Sequence, residues 1–272
     1  MEKEILRKLQ LTQLEILKEF KKVCDKNDIK YFLTDGTLLG AIRHKGFIPW
    51  DDDLDVAMER AEYEKFISIA QNELDEKYFL QTWKSDKAYP FPYAKILKKN
   101  TRCSEAVTYG TPVQNGVFMD IFPVDYCGGP DEMKKDIIPY VFWTKLLLMK
   151  CHYKVWKASS AKNGMIRYLP LILISMLFTK DKIIRNVENI IKSWNEKYSK
   201  GYFCYENAGY NFLEWIVERK SFSRLTTTFF EDEVFSIPDN YDKYLTDVYG
   251  DYMTLPPVDE RENRHVILDL KL

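Results

Sequence analysis

Closely spaced carboxylates mark the stretch from Tyr31 to Met58, where the run DDDLDVAM begins at Asp51. If this run forms a β-strand, its two-residue period places Asp51, Asp53 and Asp55 on one face and apolar residues on the other. Two carboxylates about 4 Å apart repel by roughly 4 kcal/mol at an effective dielectric constant near 20, so a cation is expected between them. A hard divalent ion, Mg²⁺ or Mn²⁺, matches these oxygen ligands. A solvated acidic loop or a helix cap is the plainer interpretation of an aspartate run.

A glycine turn precedes the acidic run. Asp35, Gly36 and Thr37 lie between a short β-prone segment and a short helical one. Glycine permits close backbone approach, so the amides of this turn and the Thr37 hydroxyl are expected to face an anion at a helix start. Arg43, in the loop that follows, can clamp a phosphate in forked geometry, or it can be ordinary surface charge.

A third acidic position interrupts an apolar strand predicted over Gly116 to Asp125. A buried, unpaired Asp120 would be destabilising, so its carboxylate should be paired, protonated or metal-bound. A role as third metal ligand beside Asp53 and Asp55 resolves the difficulty. Lys95, in the strand predicted before it, can reach a substrate phosphate as a point charge.

Composition limits the class of protein. The 272 residues, 46% of them hydrophobic, suit one large domain or a core with an appendage. The net charge of -1 provides no overall field to attract nucleic acid, so no nucleic-acid partner is expected. The five cysteines lack zinc or CxxC spacing and are expected to fill the core in a reducing compartment. The charged N-terminus does not resemble a signal peptide, and we therefore expect a cytoplasmic location.

Periodicity predicts the elements that position these residues. Apolar residues at helical spacing predict helices over Glu4 to Lys26, Glu62 to Leu74, Asp181 to Tyr198 and Tyr241 to Tyr249. Strands are predicted over Tyr78 to Trp83 and Tyr93 to Leu97.

The segment from Ile137 to Thr179 has an unusual charge distribution, with no Asp or Glu and six Lys or Arg residues among Trp, Tyr and Leu. Its most apolar run, Tyr168 to Phe178, would extend about 16 Å as a helix and could not cross a hydrocarbon core of about 30 Å. Such a segment suits an anionic membrane surface or, equally, a pair of buried helices.

Four blocks of sequence resemble the LicD family, which is related to fukutin-type proteins within the nucleotidyltransferase superfamily. The blocks are LTDGTLLGAIRHKGFIPWDDDLDVAM, YAKILKKNTR, MDIFPVD and YGDYMTLPPVDERENRH. The resemblance is most specific in the first block and least specific from about Gly128 to Phe235. It implies an α/β (α+β) fold, a nucleotidyltransferase-like mixed sheet flanked by helices with a helical accessory region. Residues 1–272 would form a single LicD-type domain, with a core over 1–127 and a helical accessory and C-terminal region over 128–272.

The resemblance also implies a reaction. A metal-dependent enzyme would move phosphocholine, or a related phospho-alcohol, from CDP-choline or another CDP-alcohol to a sugar hydroxyl, with CMP leaving. The acceptor would be a cell-surface glycan precursor such as teichoic acid or lipopolysaccharide. This precursor would be linked to a lipid, and the enzyme would bind it at the inner face of the membrane. The family's acidic motif falls on Asp53 and Asp55, its third carboxylate on Asp120, and its glycine turn on Gly36 and Thr37, where Gly-Thr replaces the usual Gly-Ser.

Other interpretations remain open at this stage. Asp53-Leu54-Asp55 is also a DxD motif that could hold the nucleotide sugar of a glycosyltransferase. Transfer of a whole nucleotide from an NTP, or an inactive membrane-associated scaffold, are further alternatives. The C-terminal Arg261, Arg264 and His265 could bind the nucleotide or pair with nearby acids, and His265 could act as a base.

Overall fold

The computed structural model describes residues 1–153, 164–198, 201–205, 216–222, 224–263 and 265–272. The α-helices within these residues are α1 (Lys3–Lys26), α2 (Asp35–Arg43), α3 (Arg60–Glu73), α4 (Pro130–Lys150), α5 (Gly164–Met176), α6 (Lys180–Lys197) and α7 (Tyr241–Tyr249). The first six strands are β1 (Phe32–Leu33), β2 (Asp55–Glu59), β3 (Tyr78–Gln81), β4 (Ala94–Lys98), β5 (Arg102–Glu105) and β6 (Val117–Cys127). The others are β7 (Tyr202–Tyr205), β8 (Ile216–Glu218), β9 (Leu225–Phe230), β10 (Glu233–Pro238) and β11 (Ile267–Lys271).

A mixed sheet forms the centre of the fold, with strand order β1-β2-β6-β4-β3. The neighbours β2 and β6 run parallel, whereas β1 with β2, β4 with β6 and β3 with β4 run antiparallel. Strand β7 pairs with the C-terminal end of β6, and β8 pairs with β7. The arrangement confirms the predicted mixed sheet flanked by helices.

Helices α1 and α3 pack against the sheet through the apolar faces that periodicity predicts. On α1, Leu6, Leu9, Leu17 and Phe20 are buried, and this helix contacts β6. Helix α3 contacts β2 and β6. Burial of such stripes, at about 25 cal/mol per Å² of apolar surface, drives the helices onto the sheet. The cysteines also behave as predicted core residues, because all five are buried and free.

The acidic run differs from the predicted strand. Strand β2 starts only at Asp55, and residues 51–54 form a loop. Strand β1 pairs only with Val56 and Ala57, and the carbonyl oxygens of Asp51 and Asp52 accept hydrogen bonds from Gln10 and Gln13 of α1 instead of from a neighbouring strand. The prediction of a strand over residues 51–54 was wrong.

A buried ion pair fastens α3 to the last part of β6. Arg60 Nε donates to both carboxylate oxygens of Asp125 at 2.9 and 3.1 Å, and Asn195 of α6 donates to Oδ1 of the same carboxylate. The Asp125 side chain is fully buried, whereas Arg60 is 26% exposed. The pair therefore joins α3, β6 and α6 away from the carboxylates of the acidic run.

Substitution Arg60→Met should lower the free energy of unfolding by about 2 kcal/mol, because it leaves the Asp125 charge with one amide donor. The expected loss of unfolding free energy is smaller than for a fully buried ion pair, because water can reach the Arg60 position. Urea denaturation measures the change. Glu64→Gln, which removes the exposed partner 3.2 Å from Arg60 Nη1, should shift stability by less than about 0.5 kcal/mol. Equal effects of the two substitutions would contradict this account.

The accessory helices stack on one another and on the sheet. Helix α4 contacts α5 and α6, and α6 contacts β6. Much of α4 is buried, including Tyr140, Leu146 and Leu147, so this part of the segment is structural. Residues 154–163, with Lys154, Trp156, Lys157 and Lys162, lie outside the described residues. Among the helices that are described, none combines the length and the apolar character that crossing a bilayer requires.

The predicted division after residue 127 coincides with the end of β6 at Cys127. Strands from the second part return to the first, because β7 extends the central sheet and β11 pairs with β5. How the chain divides into domains therefore stays a prediction.

Candidate active site

Strand register brings two aspartates and a lysine side by side. Asp55, the first residue of β2, lies opposite Asp120 on the parallel strand β6. On the other side of β6, Asp120 lies opposite Lys95 of β4. Residues in register on neighbouring strands project to the same face of a sheet. The structure thus places two of the three predicted metal ligands next to each other.

The loop that carries Asp53 is held by α1. Gln10 Nε2 donates to the carbonyl oxygen of Asp51, and Gln13 Nε2 donates to that of Asp52, both at 2.9 Å. Both glutamines are buried, so water does not compete for these hydrogen bonds. Helix α1 therefore fixes the backbone from which Asp53 reaches the site.

The predicted glycine turn is the first turn of α2. An added Cβ on Gly36 would lie 2.6 Å from Asp51 Oδ2, so the Asp51 carboxylate lies directly against this glycine. Thr37 is buried, and its Oγ1 accepts a hydrogen bond from the Asp55 N–H at 2.8 Å. Thr37 therefore positions Asp55, and its predicted contact with an anion stays a prediction.

These residues surround a cavity of about 760 Å³, which lies within the roughly 300–1,000 Å³ of small-molecule sites. Its wall contains the carboxylates of Asp35, Asp51, Asp53, Asp55 and Asp120. It also contains Gly36 and Arg43, and the aromatic residues Trp50, Tyr93, Phe122, Tyr249 and Tyr252. The structure therefore brings five predicted site residues to one cavity: Gly36, Arg43, Asp53, Asp55 and Asp120.

Burial and mutual repulsion raise the pKa values of the aspartates. Burial is the main cause that raises the pKa of Asp55 well above its ordinary value, and the charges of Asp53 and Asp120 add to it. Burial likewise raises the pKa of Asp120 to about 6, although Lys95 opposes the shift. Lys95 Nζ lies 2.8 Å from Asp120 Oδ1 and 3.5 Å from the centre of the Phe118 ring. The cavity is lined by more carboxylates than cationic side chains, so it would stabilise a further cation.

The donor chemistry fits a hard divalent cation, because carboxylate oxygens are the ligands that Mg²⁺ and Mn²⁺ prefer. The tightest group of potential ligands is not the predicted one. Among the described residues, Asp52, Asp53 and His265 offer atoms within 4.8 Å of one another. Asp55 and Asp120 do not form so tight a group with Asp53, and Lys95 binds Asp120 from the side. The set Asp53, Asp55 and Asp120 therefore stays a prediction.

His265 enters the site from the C-terminal segment. Its Nδ1 lies 2.9 Å from Asp52 Oδ1, and its ring also lies within 3.9 Å of carboxylate oxygens of Asp53 and Glu105. Burial lowers the pKa of His265, but the hydrogen bond to Asp52 and the charges of Asp53 and Glu105 outweigh it and raise the pKa to about 9. The imidazole therefore holds a proton at neutral pH, which disfavours a role as general base.

Two arginines lie near the opening of the cavity. Arg43 Nη1 donates to the Tyr252 carbonyl oxygen at 2.7 Å, which ties α2 to the segment after α7. The guanidinium of Arg261 lies 5.5 Å from the centre of the Trp50 ring, a cation–π contact. Arg264 lies outside the described residues. Arg43 and Arg261 could bind an anionic ligand, and this role stays a prediction.

Sequence reasoning missed the contacts of Asp35 and Asp52. Tyr244 of α7 donates its hydroxyl to Asp35 Oδ1 at 2.7 Å and lies 3.1 Å from Thr34 Oγ1. The partners of Asp35 and Asp52 are more than 200 positions away in the chain. Sequence spacing contains no signal for such pairs, although the fourth block of family resemblance and the basic cluster near His265 pointed to the C-terminal segment.

Comparison with known proteins adds an independent observation. A family model described as LicD/FKTN/FKRP, nucleotidyltransferase domain, matches residues 28–140. The chain is 33% identical over 276 aligned residues to the lipopolysaccharide cholinephosphotransferase LicD of Haemophilus influenzae, and the alignment covers 98% of each chain. An uncharacterized protein of Rickettsia typhi is 46% identical over 54 residues, which cover 20% of this chain and 18% of that one. A second, from Rickettsia prowazekii, is 48% identical over 48 residues, 18% of each chain.

Proposed function

The chain belongs to the LicD family, a family of phosphotransferases, and on that premise we propose that it transfers phosphocholine from CDP-choline to a sugar hydroxyl of a cell-surface glycan precursor. Another CDP-alcohol is the alternative donor. The name of the Haemophilus influenzae relative supports a lipopolysaccharide acceptor, and teichoic acid is the alternative within the same class.

One observation carries the proposal more than any other. Asp55 and Asp120 lie in register on adjacent strands, with Asp53 beside them, at a cavity that begins at the N-terminus of α2. A helix N-terminus favours anions, whereas a carboxylate cluster favours cations. A cavity with both properties suits a pyrophosphate that binds together with a divalent metal ion.

Asp53, Asp55 and Asp120 would hold this ion, Mg²⁺ or Mn²⁺. When bound, it would neutralise the charge on the phosphate oxygens. The protein's own groups would do the rest. Backbone amides at Gly36 would bind the pyrophosphate, and Arg43 would add a forked donor once it exchanges its carbonyl partner for phosphate.

The acceptor oxygen would form a bond to the phosphorus that carries choline. The bond from this phosphorus to the bridging oxygen breaks, and CMP leaves with the electron pair. Asp120 would accept the hydroxyl proton, a task that suits its raised pKa of about 6. Lys95, 2.8 Å away, would keep the carboxylate oriented and ionised before the transfer.

The aromatic residues of the cavity support choline as the transferred alcohol. Trp50, Tyr93, Tyr249 and Tyr252 line the same wall as the carboxylates. Aromatic faces attract quaternary ammonium groups, and nearby negative charge strengthens the attraction. Glycerol and ribitol carry no such charge, so this wall favours choline over them.

The experiment that tests the function measures the leaving group. The purified protein is incubated with Mg²⁺, glycolipid from cells that lack this gene, and in turn CDP-choline, CDP-glycerol, CDP-ribitol, a UDP-sugar or CTP. We expect CMP and labelled glycolipid from CDP-choline, with loss of both when Mg²⁺ is removed or Asp53 is replaced by Ala. Release of UDP would identify a glycosyltransferase, and release of pyrophosphate from CTP would identify nucleotide transfer.

The acceptor in this proposal is lipid-linked, and the protein would meet it as a peripheral enzyme at the inner face of the cell membrane. The net charge of -1 does not supply the attraction to anionic lipid. A local surface would have to do so.

A further inference from the structure

Helix α5 is apolar on both of its sides. Toward the protein, Tyr168, Leu171 and Ile172 pack against the buried residues of α4 and α6. On the opposite side, α5 and the residue after it expose large apolar side chains: Ile166 (70%), Leu169 (48%), Leu173 (57%), Met176 (68%) and Leu177 (78%). At 3.6 residues per turn these positions and the exposed Pro170 fall within one arc of about 120°. We call this arc the outer face of α5.

A surface helix normally presents polar residues to water. The outer face of α5 presents none within its arc, and contiguous exposed apolar surface marks an interaction site. Helix α4 extends the patch with Ile138 and Phe142, which are 63% and 38% exposed. The Trp143 ring of α4 lies 5.2 Å from the ring of Phe178, just after α5, on the side that faces the protein. Helices α4 and α5 thus pack on each other, and each exposes large apolar side chains.

The sequence segment that contains α5 carries charges of one sign. From Ile137 to Thr179 the sequence has six Lys or Arg residues and no Asp or Glu. Arg167 is exposed beside the outer face, and Lys145 and Lys150 of α4 are half-buried. A second copy of the chain would bring like charges together, whereas an anionic lipid surface would complement them.

We infer that the outer face of α5 docks onto an anionic membrane surface, with its apolar side chains among the lipid acyl chains and Arg167 at the headgroups. The 13-residue helix is about 20 Å long, shorter than the hydrocarbon core of about 30 Å, so it would lie in the plane of the interface. The biological purpose, access to a lipid-linked acceptor, rests on the proposed function. The lipid contact itself does not.

A lysine just after α5 contacts the segment that leads to the active site. Lys180, the first residue of α6, lies with Nζ 2.7 Å from the Lys87 carbonyl oxygen and 2.9 Å from that of Tyr89. The carbonyl oxygens of Trp83 and Asp86 lie at 3.2 Å. The segment so held continues to Tyr93, which lines the cavity. Docking of α5 would therefore hold the active-site wall at a fixed position relative to the lipid.

Flotation with vesicles tests the inference. The full chain is mixed with vesicles of phosphatidylcholine alone, or of phosphatidylcholine with phosphatidylglycerol. We expect flotation with the anionic vesicles, weakened by salt, and a partition coefficient lower by about tenfold or more for Leu169→Asp/Leu173→Asp. The matched control is Leu11→Asp, a leucine 44% exposed on α1, which should float like the wild type. Circular dichroism and melting confirm that each variant is folded.

The inference is overturned if the wild type does not float with anionic vesicles, or if the double variant floats as well as the control. It is also overturned if the double variant converts a dimer to a monomer in light scattering without any lipid binding, because the outer face would then be a contact between copies. CMP release from CDP-choline with detergent-dispersed acceptor is measured in parallel. Flotation without CMP release would refute the proposed function and leave the lipid contact intact.

Discussion

Replacing Asp55 with Asn is expected to lower CMP release from CDP-choline by about 10³-fold, roughly 4 kcal/mol of transition-state stabilisation. Asn is similar in size, so the pairing of β2 with β6 and the hydrogen bond from the residue-55 N–H to Thr37 are retained. The substitution removes the negative charge that the proposed metal site requires. A steady-state assay of CMP formation with Mg²⁺ measures the loss.

Thermal melting of the same variant provides a readout without catalysis. A ligand at 100 times its Kd stabilises a protein by about 2.7 kcal/mol, so Mg²⁺ should raise the wild-type Tm and should have little effect on Asp55→Asn. Without metal, the variant should be at least as stable as the wild type, because burial and the charges of Asp53 and Asp120 disfavour the Asp55 carboxylate. Asp239→Asn, at an exposed position, is the control and should behave as wild type in both assays. Normal activity of Asp55→Asn would refute the proposed catalytic site.

Replacing Lys95 with Met should lower the free energy of unfolding by about 3–5 kcal/mol, because it leaves the buried Asp120 carboxylate without its cation. For a chain of this size, the Tm should fall by about 10 °C. Lys95 Nζ also lies 3.5 Å from the centre of the Phe118 ring, a cation–π contact that is lost with the charge, whereas Met keeps the packing of the aliphatic stem. The loss therefore reports on charge more than on packing. Calorimetry and urea denaturation measure it.

The double variant Lys95→Met/Asp120→Asn should recover most of the lost stability, since it removes the uncompensated charge, and it should remain inactive. Lys98→Met is the matched control on the same strand. Lys98 pairs with Glu15 at the surface, where the side chains are 24% and 54% exposed, and its loss should lower stability by less than about 1 kcal/mol. If Lys95→Met were as stable as Lys98→Met, the Lys95–Asp120 pair would have no structural role.

The sequence predicted those helices and strands in which apolar residues recur at a regular spacing. Helix α1 is such a case, because burial of Leu6, Leu9, Leu17 and Phe20 follows directly from the 3.6-residue period. The strand that carries Asp120 was also predictable, since an apolar run of that length with one carboxylate suits a buried strand. Strand β2 was predicted too long, because the backbone of Asp51 and Asp52 is hydrogen-bonded to side chains of α1, a contact that local spacing does not reveal.

The sequence blocks also predicted the LicD family, which the comparisons confirm. The resemblance is most specific in the first block, which contains both the glycine turn and the acidic run. The tail was harder to interpret. His265 was a candidate base by residue type alone, and its raised pKa follows from three carboxylates that tertiary contacts bring to it.

The sequence by itself determined the residue types that can bind a cation and a phosphate, and the periodic faces that build a core. Only the tertiary structure decided which of them meet. It paired Lys95 with Asp120, joined Asp52 to His265, and buried one side of α4 while it left the outer face of α5 exposed. The physical reason is the distance along the sequence over which each property is set. Periodicity indicates which side of its own helix or strand a residue occupies, whereas charge pairing and exposure depend on neighbours from distant parts of the chain.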